Sequence, residues 1–206
     1  MISVIVPTRP HESLEPTLRS LMDQTRQDFE VHVIVDHDGR GAPWARNRGA
    51  ECARGEYVLF CDNDIRWKPW ALQKMVTVLE RAGSEPDGDG FTVAYAYGGY
   101  RINRPRGDGS IGPMANEPWH LQTLKGRNLV STMALIHRRF VQKWDEELKR
   151  LQDWDYWLRM ALHQQGKGQW VGEELFDTGY RAGITHEGAV SYDDAFRLIR
   201  AKLGLG

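Results

Sequence analysis

Short apolar strands alternate with helical segments in the first third of the chain, and this order limits the possible fold more than any other feature. Residues 2–6 and 31–35 are largely apolar runs rich in β-branched residues, and residues 57–61 form a third apolar run. The first run is typical of a central strand that is covered on both faces, and the third is predicted to form a buried strand. A helix is predicted before the second strand and another at residues 43–53, so the strand–helix–strand order favours an α/β fold with a parallel sheet.

The helix between the first two strands is predicted from its apolar spacing. Leu14, Leu18, Leu21 and Met22 recur at positions that share one face of a helix, and Ser13 precedes them as a candidate N-cap. We therefore expect these four side chains to pack on the sheet.

The second half of the sequence has a less regular pattern. Residues 91–97 alternate like a half-buried strand, and residues 129–137 are predicted to form another strand. Between them, residues 98–125 are rich in Gly, Pro and Arg without clear periodicity, which predicts a long functional loop. Helices are expected at residues 153–163 and 192–203.

Charge and hydropathy exclude several partner classes. The chain has 27 Lys and Arg residues against 28 Asp and Glu, a formal net charge of −1, so there is no global positive field for nucleic acid or anionic membranes. No apolar run approaches the ~18 residues that a membrane-spanning helix needs. The first residues do not have the pattern of a secretory signal peptide. We therefore expect a cytoplasmic protein without a membrane span.

Acidic residues follow two of the predicted strands. Asp36 and Asp38 come after the second strand, and Asp62, Asn63 and Asp64 come directly after the third. Ligands of open α/β sheets bind at the carboxyl ends of the strands. Two carboxylates there can hold a hard divalent cation that also binds diphosphate oxygens. The alternative is that Asp64 only interacts favourably with the dipole of a following helix.

Seven short segments occur in an order that is similar to a known family. They are residues 4–9 (VIVPTR), 18–21 (LRSL), 33–36 (VIVD), 45–49 (ARNRG), 55–64 (GEYVLFCDND) and 152–159 (QDWDYWLR), and lastly Tyr180 and Arg181 with His186. In this order the segments resemble family 2 glycosyltransferases. The resemblance implies a single GT-A type α/β domain over residues 1–206, with a Rossmann-like, mostly parallel central sheet flanked by helices. Residues 1–97 would form its nucleotide-binding half and residues 98–206 its acceptor-side half.

The resemblance also implies roles for individual residues. Asp153 matches the catalytic base of the family, and Asp64 and His186 match its metal ligands. The implied cofactor is a divalent cation, Mn²⁺ or Mg²⁺. The nucleobase contact falls on one of two carboxylates, Asp36 or Asp38. The full implied donor-binding set is Thr8, Arg9, Asp36, Asp38, Arg46 and Asp62.

The implied function is metal-dependent, inverting transfer of a sugar from a nucleoside diphosphate sugar, with UDP-sugars favoured, to an acceptor hydroxyl. One alternative is a sugar-phosphate nucleotidylyltransferase, but its Gly-rich basic loop should follow the first strand, where this chain has residues 7–11 (PTRPH). The other is a non-catalytic nucleotide- or sugar-binding module of the same fold. The presence of Asp64, Asp153 and His186 together favours an enzyme over such a module.

Overall fold

The computed structural model describes residues 1–103, 110–115, 117–179 and 190–206, and for residues 110–114 it describes the backbone only. Within these residues the chain forms eight strands and six α-helices. The strands are β1 (Ile2–Thr8), β2 (Phe29–Val35), β3 (Tyr57–Phe60), β4 (Ile65–Trp67), β5 (Thr92–Asn103), β6 (Ser110–Met114), β7 (Leu135–His137) and β8 (Gly166–Gly179). The helices are α1 (Glu15–Met22), α2 (Ala42–Cys52), α3 (Ala71–Ala82), α4 (Leu121–Gly126), α5 (Gln152–Gln164) and α6 (Tyr192–Lys202).

One sheet joins both halves of the chain. Its strand order is β2-β1-β3-β7-β5-β8-β4, and β6 pairs with β5. Strand β1 pairs in parallel with β2 and β3, and β5 pairs in parallel with β8, whereas β7, β4 and β6 join their neighbours antiparallel. The predicted α/β fold is confirmed, with a mixed sheet. Its parallel β2-β1-β3 part brings the polar residues after β2 and β3 to one edge.

The core lies on both faces of β1 and β3, as their uninterrupted apolar runs predict, whereas β2 is an edge strand with Val31, Val33 and Val35 exposed. Every residue of β1 is buried. Ile5 packs on the face that α2, α5 and α6 cover, while Val4 and Val6 pack on the face of α1 and α3. Burying an apolar side chain of this size contributes about 1.5–3 kcal/mol, so a polar substitution at Val4, Ile5 or Val6 would destabilise the protein by about this amount.

The helices are short and pack along the sheet. The longest is α5, with 13 residues. Among the described residues, no helix is both long and apolar enough to cross a membrane.

In helix α1, one of the four residues predicted to pack on the sheet is exposed instead. Leu21 is fully buried, but Met22 is 75% exposed. The polar Thr17 is fully buried in its place. The predicted stripe is wrong at Met22 because α1 packs through the hydroxyl of Thr17 as well as through leucine side chains.

The predicted long loop at residues 98–125 is also wrong in large part. Strand β5 continues to Asn103, β6 pairs back onto it, and α4 follows; residues 104–109 and 116 lie outside the described residues. The half-buried strand predicted at residues 91–97 is also wrong, because the first eight residues of β5 are all buried, including the small residues between the aromatic ones. Conversely, the strand predicted at residues 129–137 is only β7, because residues 129–134 are buried without strand pairing.

Candidate active site

A cavity of about 480 Å³ opens at the carboxyl ends of β1, β2 and β3. A volume of this size is typical of small-molecule sites, which prefer this edge of α/β sheets. Four cationic and five acidic side chains line it, together with neutral residues. The charged residues are Arg9, Arg40, Arg46, Lys149, Glu12, Asp36, Asp62, Asp64 and Glu146. Thr8 and Gln152 are among the neutral ones.

Asp36 shapes the loop that forms one wall of the cavity. Its two carboxylate oxygens accept hydrogen bonds from the backbone N–H groups of Arg40 (2.9 Å) and Gly41 (2.7 Å). Burial raises the pKa of Asp36, but these N–H groups more than offset it, so the pKa lies below the usual range. Asp38 is exposed and is not among the residues that line the cavity. Of the two candidate carboxylates, only Asp36 is part of the cavity wall.

Arg46 and Asp62 form an ion pair at the centre of the site. Arg46 Nη2 lies 2.8 Å from Asp62 Oδ1, and the Arg46 side chain is only 6% exposed. The guanidinium stacks over the ring of Trp144 at 4.6 Å, which holds it on the floor of the cavity. Arg46 Nε is buried and has no hydrogen-bond partner among the described residues. Asp64 lines the same cavity beside this pair.

The turn after β3 is fixed by side chains from neighbouring elements. Thr17 Oγ1 donates to the carbonyl of Asp62 (3.1 Å) and accepts from the N–H of Ile65 (2.9 Å). Asn63 Nδ2 donates to Glu12 Oε2 at 2.7 Å. The acidic residues of the turn are therefore placed by buried contacts rather than by a flexible loop.

A strap from the second half of the chain, residues 144–149, closes one side of the cavity, and Asn47 holds it. Asn47 Oδ1 accepts from Trp144 N (2.8 Å), and its Nδ2 donates to Trp144 O (3.0 Å) and Glu146 Oε1 (2.8 Å). Glu146 and Lys149 on this strap line the cavity. The sequence analysis did not identify Asn47, Glu146 or Lys149 as residues of the site. Only the position of Asn47, next to Arg46 in the ARNRG segment, pointed to it.

Asp153 lies at the start of α5, beside the cavity residue Gln152. Its Oδ1 accepts from the N–H of Trp154 (2.9 Å) and its Oδ2 from Asn128 Nδ2 (2.8 Å). Burial raises the pKa of Asp153, although both hydrogen bonds and the charge of Arg46 act in the opposite direction. Asp153 is not among the residues that line the cavity, but it directly follows the lining residue Gln152, and a carboxylate with a raised pKa at such a position suits a general base.

The backbone just before Asp153 is strained. Leu151 has φ 57° and ψ 31°, a left-handed conformation that costs a residue with a side chain about 1–3 kcal/mol. Such strain occurs where surrounding contacts hold a functional segment in place.

Tyr100 on β5 is affected by the charges of both Asp62 and Asp153. Burial raises its pKa, and the charges of Asp153 and Asp62 raise it further. Its ring stacks on Phe176, with centroids 4.9 Å apart and planes 4° apart. Sequence reasoning missed Tyr100 because its strand was predicted to end at residue 97.

Other residues near Asp153 are structural. Asp155 is fully buried and pairs with Arg159 and Lys202, each at 2.8 Å. Trp154 and Trp157 are also fully buried. These three residues of α5 stabilise the helix that carries Asp153 and do not line the cavity.

The donor set in the cavity fits a hard divalent cation. Asp62 and Asp64 both line it, and Mg²⁺ or Mn²⁺ commonly uses one or two carboxylates together with substrate phosphates and water. In the described part of the chain, no cluster of three or more His, Cys, Asp or Glu residues can hold a metal on its own. His186, the other predicted ligand, lies outside the described residues.

Comparison with known proteins gives a family match. The family model described as Glycosyl transferase family 2 matches residues 31–145, more than half of the chain. This range includes Asp36, Arg46, Asp62 and Asp64 but not Asp153.

Two curated relatives match part of the chain. The putative teichuronic acid biosynthesis glycosyltransferase TuaG of Bacillus subtilis is 26% identical, over 50% of this chain and 47% of the relative. The amylovoran biosynthesis glycosyltransferase AmsB of Erwinia amylovora is 29% identical, over 41% of this chain and 38% of the relative. The match therefore spans less than half the length of either relative.

Solved structures match over nearly the whole chain. S. aureus TarS 1-349 in complex with UDP-GlcNAc has a TM-score of 0.72 and 19% identity, over 99% of this chain and 65% of that one. TarS 1-349 in complex with UDP has a TM-score of 0.68 and 20% identity, over 98% of this chain and 64% of that one. At this identity the likeness shows the fold, and the predicted GT-A type α/β fold is confirmed.

Proposed function

The chain belongs to glycosyl transferase family 2, and from this membership we propose that it transfers a sugar from a nucleoside diphosphate sugar to an acceptor hydroxyl. The observation that carries the proposal is the cavity of about 480 Å³, because its acidic and basic residues meet where parallel strands end. The raised pKa of the nearby Asp153 supports an acid–base reaction over binding alone.

The donor nucleoside is proposed to bind between the ends of β1 and β2. Thr8 and Arg9 line this side of the cavity, and Asp36 holds the loop that forms its wall. Asp36 contacts the nucleobase in this proposal, and Asp38 does not. Arg46 lines the cavity and is paired with Asp62, and in this proposal it lies near the donor.

The charges around the cavity explain why a divalent cation is part of the proposal. Five carboxylates face four cationic side chains there, so the lining alone does not favour a diphosphate anion. Asp64 and Asp62 would hold Mn²⁺ or Mg²⁺, with His186 as a further proposed ligand. When bound, the cation supplies positive charge that stabilises the diphosphate as it leaves.

Asp153 is the proposed base. The acceptor hydroxyl gives its proton to the Asp153 carboxylate while its oxygen forms a bond to the anomeric carbon of the sugar. The bond from that carbon to the diphosphate breaks, and the nucleoside diphosphate leaves with the electron pair. Attack from the side opposite the leaving group inverts the anomeric centre.

UDP-sugars are the proposed donors. The TarS structures with matching folds contain UDP-GlcNAc and UDP, which is a statement about TarS and a reason to test uridine nucleotides first. The expected cytoplasmic location stays a prediction.

A thermal-shift panel tests donor binding. UDP, GDP, dTDP and CDP are each measured with Mn²⁺ and with EDTA. A ligand at about 100 times its Kd raises the free energy of unfolding by about 2.7 kcal/mol. We expect one nucleotide to raise the melting temperature clearly, and only with Mn²⁺. No shift with any nucleotide would contradict donor binding, and equal shifts in EDTA would contradict the cation site. A non-catalytic binding module would give the shift without consuming a nucleotide sugar.

A further inference from the structure

Asn128 contacts the proposed base directly, although the two residues are far apart in the sequence. Its Nδ2 donates to Asp153 Oδ2 at 2.8 Å. Its Oδ1 accepts from the backbone N–H of Val130 at 3.2 Å, which closes a local turn. The amide oxygen of Asn128 is thus bonded within its own segment, whereas its amide nitrogen donates to the Asp153 carboxylate.

The segment around Asn128 is attached to α5 on both sides. Trp154 Nε1 donates to the carbonyl of Leu124 at 2.6 Å, and Trp157 Nε1 donates to the carbonyl of Val130 at 3.1 Å. Both indole rings are fully buried. Asn128 lies between these two anchors, so its amide is fixed relative to the first turn of α5 and has little freedom to turn away.

We propose that Asn128 is a positioning residue, whose amide fixes the orientation of the Asp153 carboxylate toward the acceptor hydroxyl. The inference rests on the proposed function, since it concerns the base of that reaction. The backbone N–H of Trp154 donates to one carboxylate oxygen and the Asn128 amide donates to the other, so rotation of the carboxylate about its Cβ–Cγ bond would break two hydrogen bonds. Each oxygen keeps a second lone pair that can accept the proton.

A neutral amide is well matched to this position. It stabilises the ionised carboxylate by donating to it, but it carries no proton that it can lose to the base at neutral pH. The positive charge of Arg46 on α2 lowers the pKa of Asp153, and the charge of Asp153 in turn raises the pKa of Tyr100 on β5. A carboxylate at position 128 would instead repel Asp153.

The first experiment measures Asp153 itself. Protein labelled with ¹³C at the aspartate carboxyl carbons is titrated by NMR, and the Asp153 signal is identified by its absence in Asp153→Asn. We expect Asn128→Ala to raise the pKa of Asp153, because a donor to its ionised form is lost. Asn128→Asp, which is nearly isosteric, should raise it further.

The second experiment measures the pH dependence of kcat with the donor that the nucleotide panel identifies. We expect Asn128→Ala to lower kcat about 10- to 100-fold, as for a misplaced catalytic group, with the donor Kd nearly unchanged. The acid limb of the profile should move to higher pH in the same order as the NMR titrations.

Gln142→Ala is the matched control. Gln142 Nε2 also donates to α5, at the carbonyl of Tyr156 (2.7 Å), but it does not touch Asp153. This variant should lower thermal stability by an amount similar to Asn128→Ala while leaving the pH profile and the Asp153 titration unchanged. A merely structural Asn128 would behave like Gln142.

The two proposals fail in different ways. If the Asp153 titration is the same in the wild type and Asn128→Ala, the positioning role is wrong, whatever the activity. If the titration shifts but the acid limb of an active enzyme does not, the role is also wrong. If the titration shifts and the wild type consumes no nucleotide sugar, the proposed function fails, and with it the catalytic meaning of the contact.

Discussion

At the scale of single residues, Asp36 and Asp153 are both withdrawn from bulk water, yet their pKa values move in opposite directions. Burial acts on both. Backbone N–H groups of the loop after β2 overcome it at Asp36, whereas the two donors at Asp153 do not. Asp36 is therefore suited to organising and binding, and Asp153 to accepting a proton. The sequence alone cannot separate these roles, because the donors come from backbone and from distant segments.

Asp153→Asn removes the proposed base and keeps the shape of the side chain. We expect kcat to fall by about 10²–10⁴-fold with the donor Kd nearly unchanged, the usual contribution of general-base catalysis. Because the fold raises the pKa of Asp153, its ionisation opposes folding at neutral pH, and this cost decreases as the pH falls through the folded-state pKa and is gone below the lower pKa of the unfolded chain. In Asp153→Asn one of the two donors, the backbone N–H of Trp154 or the amide of Asn128, loses its acceptor, and relief of the ionisation cost offsets this loss, so the melting temperature at pH 7 should change little. A variant that loses stability and donor affinity together would instead assign Asp153 a structural role.

Asp64→Ala tests the proposed cation site. We expect the variant to lose the part of the nucleotide thermal shift that depends on Mn²⁺, because a hard cation loses a carboxylate ligand. Glu51→Ala, an exposed site on α2, removes the same charge away from the cavity and should keep the full shift. Isothermal titration of nucleotide with Mn²⁺ present gives the affinities. Equal affinities for wild type and Asp64→Ala would remove Asp64 from the site.

At the scale of elements, α1 shows what helical periodicity predicts and what it does not. The periodicity identifies the helix and the burial of Leu21. It cannot identify Thr17, whose hydroxyl bonds to the turn after β3, a contact that exists only once β3, β4 and α1 have packed together. The same reason applies to β5: its sequence alternates over residues 91–97, but its first eight residues are all buried, and its partner β8 lies far along the sequence.

Thr17→Val tests whether α1 positions the acidic turn. Valine fills nearly the same volume, but the buried N–H of Ile65 loses its acceptor, which costs about 1–3 kcal/mol. We expect urea unfolding to show this loss and titration to show weaker Mn²⁺-dependent nucleotide binding. The isosteric control Thr77→Val, in α3, removes only a contact with the exposed Gln73 and should change neither by much. Unchanged nucleotide binding in Thr17→Val would contradict a positioning role for α1.

At the scale of the whole molecule, the first half was more predictable than the second. Strands β1, β2 and β3 and the acidic residues after them follow from local patterns, and the structure brings Asp36, Arg46, Asp62 and Asp64 to one cavity. The strap at residues 144–149 and the contact of Asn128 with Asp153 depend on pairings between distant segments. No local periodicity encodes such pairings, so only the fold reveals them.

Asn47→Ala tests the connection between the two halves. The backbone N–H and carbonyl of Trp144 would lose their partners, and the ring beneath Arg46 would lose its fixed position. We expect the free energy of unfolding, measured in urea, to fall by about 1–3 kcal/mol for each backbone group that loses its partner. Donor affinity should fall as well, because Glu146 and Lys149 line the cavity. Normal donor affinity in a destabilised variant would show that the strap does not shape the donor site.

The central claim is that this chain cleaves a nucleoside diphosphate sugar by direct displacement. The most direct measurement follows UDP-sugars with Mn²⁺ by ¹H NMR, with water or an added sugar alcohol as acceptor, and reads the anomeric signal of the first product before it equilibrates. We predict that the donor is consumed and that the first product has the opposite anomeric configuration, with Asp153→Asn as the inactive control. A first product with the donor's own configuration, or equal consumption by Asp153→Asn, would contradict the claim.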